Sequence, residues 1–359
     1  MSSMFGDIYR GRKVLVTGHT GFKGSWLLFW LNRLGANVCG IALPPNTEPN
    51  HYKLLKTPVR SVEEDIRNRN VLETVFSAYR PEIVFHLAAQ PLVGKSYEEP
   101  LDTFEVNVMG TANVLEACRK AGSVKAVVVI SSDKCYENRE QISGYTEQDP
   151  LGGFDPYSAS KGCTEIVAAS YRNSFLRDAG ILMATARAGN VIGGGDWAED
   201  RLVPDAMRAA AEGEEMLLRN PASVRPWQHV LEPLSGYLLL GQHLFEGDTS
   251  CAEAWNFGPA EESMITTEYA VSLLQKGWNA VQYTHTPQIN APHETKILRL
   301  NCEKAMQNLS WQPVWNAETA FRKTAVWYRE YYTAYNILTQ KDLDDYIQDA
   351  GKKDLIWID

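Results

Sequence analysis

A glycine-rich turn between an apolar strand and an apolar helix constrains the fold of this chain more than any other feature. The strand is Lys13-Val-Leu-Val-Thr17, and it runs into Gly18-His-Thr-Gly21-Phe-Lys-Gly24 and an apolar helical stretch over residues 25–34. Glycines in this position permit a tight turn and let backbone N–H groups and the helix N-terminus approach a pyrophosphate. The motif therefore predicts a dinucleotide site in a Rossmann-type unit, although its spacing is not the simple G-x-G-x-x-G.

Strands and helices alternate through the first half of the chain. We predict short strands over residues 14–17, 37–42, 83–87, 126–131 and 183–187. Helices are predicted between them, near residues 22–34, 70–79, 101–121 and 157–178. This alternation is typical of an α/β fold with a doubly wound parallel sheet and helices on both faces. Such sheets bind ligands at the carboxyl ends of their strands.

The pattern changes after Gly189, where a glycine-rich loop precedes segments with less regular alternation. Helices are predicted over residues 202–212, 230–245, 266–277 and 316–335, with one more strand over 254–257. We therefore predict a dinucleotide-binding domain of residues 1–188, to which residues 228–258 return. A smaller, interleaved substrate-binding domain is predicted to comprise residues 189–227 and 259–359. The charged stretch from Lys341 is given no role.

Composition excludes several classes of function. The 359-residue chain has a net charge of −9 without an acidic run, which disfavours nucleic acid as a partner. Its six cysteines form no C-x-x-C pair and no disulfide-like framework, so we expect reduced thiols, a cytoplasmic protein and no metal site. No apolar run approaches ~18 residues, and residues 1–12 lack the apolar core of a signal peptide. We therefore expect no membrane segment.

Tyr157 and Lys161 carry the strongest chemical signal, in the run Asp-Pro-Tyr157-Ser-Ala-Ser-Lys161. Residues four apart on a helix lie on one face, about one turn from each other. A free tyrosine titrates near pH ~10, too high for a base at neutral pH. A nearby ammonium and the positive ring of an oxidised nicotinamide both favour the phenolate. We therefore expect a lowered pKa for Tyr157 and removal of a proton from an alcohol.

Together these motifs resemble the extended short-chain dehydrogenase/reductase family. Three further segments stand in that family's order and spacing: His86-Leu-Ala-Ala-Gln90, Asn107-Val-Met-Gly-Thr and Ser131-Ser-Asp-Lys134. The resemblance covers nearly the whole chain and is strongest to the nucleotide-sugar 4,6-dehydratases, in particular the branch that acts on CDP-glucose. It implies NAD as the cofactor and a nucleotide sugar, CDP-glucose, as the substrate.

The resemblance also implies which residues hold the cofactor. They are Gly18, Thr20, Gly21, Phe22, Lys23, Gly24, Asp65, Ile66, Leu87, Ala88, Ala89, Gln90, Tyr157 and Lys161. Asp65 would contact the adenine amino group, and a solvated loop aspartate is an equal alternative. The second strand ends without the usual acid for a ribose hydroxyl, and no Lys or Arg follows before Lys53. The absent cation favours NAD over NADP.

A second implied set binds the substrate. It comprises Gln90, Asn107, Ser132, Asn190, Trp197, Arg201, Arg225 and Arg299. Asn190 and Arg225 would hold the diphosphate, and Ser132 the sugar C4 hydroxyl. Several alternatives stay open: Asn107 either lies at a kink or caps its helix, Trp197 either stacks on the base or packs in the core, and single arginines often form surface ion pairs. His86 is expected to be a satisfied core residue.

The resemblance implies a reaction in which Tyr157 removes the C4 hydroxyl proton as hydride leaves C4 for NAD. Water is then lost across C5–C6, and the hydride returns to C6. Asp133 would protonate the departing hydroxyl. Lys134 stands where relatives acting on dTDP-glucose have a glutamate base. An ordinary lysine is protonated at neutral pH, so Lys134 either is neutral through burial beside Lys161 or stays charged and stabilises the enolate. We expect the neutral base.

Three alternative functions remain open on the sequence alone. A sugar-nucleotide 4-epimerase shares the tyrosine–lysine pair but needs no acid and base at 133 and 134. A 4,6-dehydratase for another nucleotide sugar, such as dTDP-glucose or GDP-mannose, would share the tyrosine–lysine pair and would also need an acid and a base at 133 and 134. A non-catalytic dinucleotide sensor of this fold typically lacks the pair. Helices 101–121 and 157–178 carry apolar residues on more than one face, so we also predict a homodimer formed through a four-helix bundle.

Overall fold

The computed structural model describes residues 4–285 and 298–358, and a seven-stranded parallel sheet forms its centre. The strands are β1 (Lys13–Thr17), β2 (Asn37–Ala42), β3 (Arg60–Glu63), β4 (Ile83–His86), β5 (Ala126–Ile130), β6 (Leu182–Ala188) and β7 (Ala254–Phe257). Their order across the sheet is β7-β6-β5-β4-β1-β2-β3. The chain thus winds outward from β1 in both directions, as in a doubly wound Rossmann fold. The predicted fold class is confirmed.

The strands are apolar because the sheet is covered on both faces. Val14 and Val16 point into one core, whereas Leu15 between them points into the core on the opposite face. The same alternation places Val128 in the first core and Val127 in the second. Strand residues that alternate between two buried faces must all be apolar, which produces the continuous runs seen in the sequence.

The described residues form thirteen α-helices. They are α1 (Phe22–Arg33), α2 (His51–Leu55), α3 (Arg69–Tyr79), α4 (Val93–Glu98), α5 (Pro100–Phe104), α6 (Thr111–Ala121), α7 (Pro156–Tyr171), α8 (Leu202–Glu212), α9 (Leu231–Glu246), α10 (Thr267–Gly277), α11 (Glu303–Asn308), α12 (Ala317–Ala334) and α13 (Thr339–Lys352). Helices α1 and α9 cover one face of the sheet, and α3, α6 and α7 cover the other. A π-helical turn, Glu105–Gly110, joins α5 to α6.

A third apolar core lies outside the sheet and is built mainly from α8, α10 and α12. Short strand pairs accompany it, including Glu215–Leu218 with Gln282–His285 and Val224–Pro226 with Met264–Thr266. This core falls within the residues predicted to form the smaller domain. The C-terminal helix α13 instead joins the core around α1 and α9 through Leu343 and Tyr346. The domain boundaries themselves stay a prediction.

The C-terminal helix is the main element that the sequence reading missed. Residues 339–352 are rich in charge, yet Leu343, Tyr346 and Ala350 fall on one face and are buried. The edge strand β3 was also missed because only Val62 of its four residues is even partly buried. All six cysteines are unpaired. Over the two described stretches, no helix has the length and apolarity required to cross a membrane.

Candidate active site

The glycine turn after β1 is shaped by two close backbone contacts. Gly18 has a φ of +76°, and a Cβ there would lie 2.8 Å from the backbone nitrogen of Ala88. A Cβ on Gly24 would lie 2.0 Å from the carbonyl oxygen of Gly18. Neither contact tolerates a side chain, so both glycines are required to bring the start of α1 against the end of β4. The turn thereby places the N-terminus of α1 at the carboxyl edge of the sheet.

The surroundings of this helix N-terminus fit a dinucleotide. Gly21 precedes α1 without a side-chain cap, and the first-turn N–H groups of Phe22, Lys23 and Gly24 have no acceptor within the helix. Such N–H groups and the helix dipole favour a diphosphate. Thr20 is directed away from them, since its hydroxyl donates to the carbonyl of Leu43 at 2.8 Å.

The loop after β4 lines the next part of the candidate site and is hydrogen-bonded to β1. Thr17 Oγ1 accepts hydrogen bonds from the backbone N–H groups of Leu87 and Ala88, at 3.1 and 3.2 Å. Its hydroxyl also lies 2.7 Å from Nδ1 of His86, whose Nε2 lies 3.0 Å from Thr111 Oγ1. Burial lowers the pKa of His86 to about 3. His86 is therefore a satisfied, neutral core residue, as predicted.

Asp65 and Ile66 occupy a neighbouring loop with different surroundings. The Asp65 carboxylate accepts hydrogen bonds from the backbone and side chain of Arg67, at 2.6 to 3.0 Å. Ile66 is buried against Gly110, where a Cβ would lie 2.5 Å from the isoleucine Cδ1. Both alternatives for Asp65 stay predictions, and the structure adds that its carboxylate is already held by Arg67.

Gln90 and Asn107 form one buried network. The Asn107 side chain accepts from the Gln90 backbone N–H at 2.8 Å and donates to the Gln90 carbonyl and to Ser160 Oγ. The Gln90 amide in turn is bonded to Leu92 and Thr103. Asn107 lies inside the π-helical turn and does not cap a helix, so the capping alternative is wrong. Its amide joins the loop after β4 to α7, on which Ser160 lies.

Helix α7 presents Tyr157 and Lys161 in its first two turns. Asp155 caps the helix by accepting from the Ser158 N–H at 2.9 Å. Both Tyr157 and Lys161 are buried, and the Lys161 ammonium lies 6.0 Å from the centroid of the tyrosine ring. The predicted pairing on one helix face is therefore present.

The pKa of Tyr157 departs from expectation. Burial raises it to about 12, and the Ser132 hydroxyl only partly opposes this by favouring the phenolate. In the protein alone the direction of the pKa shift is thus opposite to the predicted one, because desolvation outweighs the Ser132 hydrogen bond and the positive charge of Arg201. Burial also lowers the pKa of Lys161 to about 8, against the opposing effect of Glu165.

Ser132, Asp133 and Lys134 follow β5 at the same edge. The Ser132 hydroxyl donates to Asp133 Oδ1 at 2.9 Å and accepts from the Lys134 N–H at 3.2 Å. Burial raises the pKa of Asp133, with the charge of Lys134 opposing it. A raised pKa suits a carboxyl group that donates a proton. Lys134 is only partly buried, so the full burial that was expected to keep it neutral is absent.

The side chain of Lys23 is a feature of the site that the sequence reading missed. Its ammonium lies 3.3 Å from the Tyr237 hydroxyl. Burial, followed by the charges of Lys161 and Arg201, lowers the pKa of Lys23 to about 7, while Asp133 acts in the opposite direction. From the sequence, Lys23 is predicted only to hold the cofactor as part of the glycine motif. The sequence signal that could have indicated a role for this side chain is the presence of a lysine within the glycine motif.

Two of the predicted substrate residues, Arg201 and Trp197, precede α8. Arg201 forms an ion pair with Asp196 at 2.8 Å and lies close enough to Tyr157 to oppose the rise of its pKa. Trp197 is 5% exposed, donates to the Tyr332 hydroxyl and packs edge-on against Trp327. The structure therefore supports core packing for Trp197 rather than stacking on a base.

The remaining three substrate candidates lie on short segments beyond β6. Asn190 precedes the strand Val191–Ile192, and its carbonyl accepts from the Gln228 N–H at 3.4 Å. Arg225 lies in the strand Val224–Pro226 and donates to the Val224 carbonyl at 2.9 Å. Arg299 is paired with the exposed Glu261 at 3.0 Å. Their roles toward a substrate stay predictions.

Comparisons with known proteins extend these observations. The family described as GDP-mannose 4,6 dehydratase matches residues 15–324. CDP-glucose 4,6-dehydratase of Salmonella typhimurium is 45% identical over 350 residues, which cover 95% of this chain and 98% of that protein. The structure of a Thermus thermophilus UDP-glucose 4-epimerase in complex with NAD is 26% identical and has a TM-score of 0.75, covering 88% of this chain and 99% of that one. A dTDP-glucose 4,6-dehydratase from Streptomyces venezuelae, with a TM-score of 0.74 at 24% identity, shares the fold over 89% of this chain and 97% of its own.

Proposed function

The chain belongs to the GDP-mannose 4,6 dehydratase family, and from that premise we propose that it converts CDP-glucose to CDP-4-keto-6-deoxyglucose and water. The observation that carries the proposal is the 45% identity to a CDP-glucose 4,6-dehydratase, which extends over 95% of this chain and 98% of that protein. Relatives named for other nucleotides are less similar, for example a dTDP-glucose 4,6-dehydratase of Haemophilus influenzae at 26% identity.

The proposed cofactor is NAD, held at the glycine turn. The backbone approach at Gly18 and Gly24 and the uncapped start of α1 suit a diphosphate. No Lys or Arg lies between the end of β2 at Ala42 and Lys53, so a 2′-phosphate would find no cation in that loop. When bound, NAD supplies the group that accepts a hydride and later returns it.

The proposed roles rest on the family resemblance, and the positions of the side chains at one edge of the sheet support them. Tyr157 takes the proton of the sugar C4 hydroxyl, and Lys161 stabilises the phenolate that this requires. Ser132 orients that hydroxyl beside Tyr157. Asp133, whose pKa is raised by burial, delivers a proton to the C6 hydroxyl as it leaves as water. We propose that Lys134 takes the C5 proton, which the C4 ketone has made acidic; because Lys134 is only partly buried, stabilisation of the enolate by its charge is the alternative role.

The reaction is tested by incubating the purified protein with CDP-glucose, dTDP-glucose, GDP-mannose and UDP-glucose. We expect the alkali-induced absorbance of a 4-keto product with CDP-glucose and no comparable signal with the others. Tyr157→Phe is the control, since it keeps the ring but removes the base. A C4 epimer as the only product, or no turnover of any of the four, would overturn the proposal.

The role of Lys134 is tested separately with two variants. Lys134→Ala should still oxidise C4, seen as reduction of the cofactor, but should lose exchange of the C5 proton in deuterium oxide. Lys134→Arg keeps a positive charge that cannot act as a base at neutral pH. If Lys134 is the base, both variants lose exchange; retained exchange in the arginine variant would instead assign it the electrostatic role.

We further propose that two chains form a homodimer through α7 and the helical stretch from Pro100 to Ala121. Leu101, Met109 and Ile166 on these helices are 78%, 47% and 58% exposed. Val114 and Cys118, on the other face of this stretch, are fully buried against the sheet. We also propose a cytoplasmic location, which the six unpaired cysteines support.

A further inference from the structure

A cluster of three side chains lies at the opposite edge of the sheet from the candidate active site. His243 is in the last turn of α9, Asp248 follows the turn that ends this helix, and Cys251 precedes β7. The amino ends of the strands form this edge, whereas Tyr157 and Asp133 lie near the carboxyl ends. None of the three residues is used in the proposed reaction.

The ligating atoms of the cluster converge. Asp248 Oδ2 lies 3.3 Å from His243 Nδ1 and accepts from Cys251 Sγ at 3.2 Å. All three atoms lie within 4.8 Å of one another. With metal–ligand distances of about 2.0–2.3 Å, the edges of a tetrahedral zinc site measure about 3.3–3.7 Å. Two edges already have nearly this length, and the third, between His243 and Cys251, is at most 4.8 Å.

The backbone around the cluster is held by its own hydrogen bonds. Gly247 adopts a φ of +93° and turns the chain after α9, and the Asp248 N–H donates to the His243 carbonyl at 2.9 Å. Asp248 Oδ1 is occupied by the Ser250 N–H and hydroxyl, which leaves Oδ2 directed at the other two residues. The Cys251 carbonyl accepts from the Trp255 indole at 2.9 Å. The three donors are therefore positioned before any ion binds.

We propose that His243, Asp248 and Cys251 bind a divalent transition metal ion of the zinc type, with water as the fourth ligand. Imidazole, carboxylate and thiolate together suit Zn²⁺ and its neighbours, whereas Mg²⁺ and Ca²⁺ prefer oxygen ligands alone. The thiol gives up its proton to solvent on binding, so the thiolate and the carboxylate balance the two positive charges. The nearby ammonium of Lys304 is neutralised by Glu253 at 2.5 Å.

The cluster lies at the opposite edge of the sheet from Tyr157 and Asp133, so the ion would take no part in the proposed reaction. The ion would join His243, in the last turn of α9, to Asp248 and Cys251, which precede β7. It would thereby connect a helix on one face of the sheet with the edge strand of that sheet. A ligand that binds only the folded chain stabilises it by RT ln(1 + L/Kd), where L is the concentration of free ligand, so the melting temperature rises with that concentration. The site is thus detectable through stability as well as through spectroscopy.

The experiment uses the full chain, treated with a chelator and kept under reducing conditions, and titrated with Co²⁺ and then Zn²⁺. One equivalent of Co²⁺ should give visible bands and a near-ultraviolet thiolate band, both abolished by Zn²⁺, and Zn²⁺ should raise the melting temperature. Cys251→Ser keeps a donor to Asp248 but should lose the thiolate band and the thermal shift. Loss of a residue that only hydrogen-bonds a metal ligand weakens metal binding about 10–100-fold. His243→Gln removes a ligand itself and should weaken metal binding at least as much.

The matched control is Cys163→Ser, because Cys163 is the one described cysteine that is only partly buried and it lies outside the cluster. This variant should retain the thiolate band and the thermal shift, and far-ultraviolet circular dichroism checks that all variants fold. Absence of a thiolate band in the wild-type chain would overturn the proposal. So would a band that persists in Cys251→Ser or one that disappears in Cys163→Ser.

Discussion

At the scale of single residues, the chemistry of α7 depends on a charge behind the tyrosine–lysine pair. Glu165 lies one turn beyond Lys161 and forms a fully buried ion pair with Arg187 at 2.8 Å. Its carboxylate raises the pKa of Lys161, whereas burial lowers that pKa to about 8. Below pH 8 the ammonium is present and supports the phenolate, and above it this support is lost. Activity should therefore fall as the pH rises through about 8.

Replacing the carboxylate should move this loss of activity. Glu165→Gln removes the group that raises the pKa of Lys161, so the alkaline limb of the kcat–pH profile should shift to lower pH by about one unit. Thr185→Val is the control, since Thr185 donates to Glu165 Oε2 at 2.7 Å but carries no charge. It should lose stability without shifting the profile. An unshifted profile in Glu165→Gln would show that Glu165 does not act through Lys161.

At the scale of elements, one buried carboxylate holds the C-terminal part of the chain to α9. Glu232, in the first turn of α9, accepts from the N–H groups of Val314 and Trp315, both at 2.8 Å, and from the Tyr346 hydroxyl of α13 at 2.8 Å. Burial raises its pKa to about 7, and these donors only partly oppose the rise. Three segments distant in sequence therefore meet at a single side chain.

Glu232→Gln places amide hydrogens opposite backbone N–H donors and leaves at least one buried donor unsatisfied. We expect a loss of about 1–3 kcal/mol in the free energy of unfolding, measured by urea denaturation. Tyr346→Phe removes only one of the three donors and should cost about 1 kcal/mol. Equal stability of Glu232→Gln and the wild type would contradict this account of how α13 is held.

At the scale of the whole molecule, the exposed apolar side chains predict self-association. Leu101 and Ile166 lie on α5 and α7, which contact each other, and both are more than half exposed. We expect light scattering at micromolar concentration to give twice the chain mass. The double variant Leu101→Glu/Ile166→Glu should give the chain mass, because charges at a dimer interface lose their hydration.

Leu217→Glu provides the comparison for this prediction. Leu217 is 60% exposed but lies in the strand Glu215–Leu218, away from α5 and α7. This variant should keep the mass of the wild type. A single-chain mass for the wild type, or an unchanged dimer in the double variant, would contradict the proposed interface.

The sequence by itself determined the parts of this protein that depend on local spacing. The glycine turn at Gly18–Gly24 and the apolar strands predicted a doubly wound parallel sheet, because strand periodicity and turn geometry are properties of short segments. Tyr157 and Lys161 were placed on one face by the helical repeat alone. The resemblance of the ordered motifs added the substrate class and the cofactor.

Only the tertiary structure decided how these residues behave. The pKa of Tyr157 is raised because segments far away in sequence remove it from water, and the helical repeat contains no such information. The neighbours of Lys23, the network of Gln90 and Asn107, and the core position of Trp197 likewise depend on contacts between distant segments. Helix α13 and the cluster of His243, Asp248 and Cys251 escaped the sequence reading because burial and convergence arise only when the chain is folded.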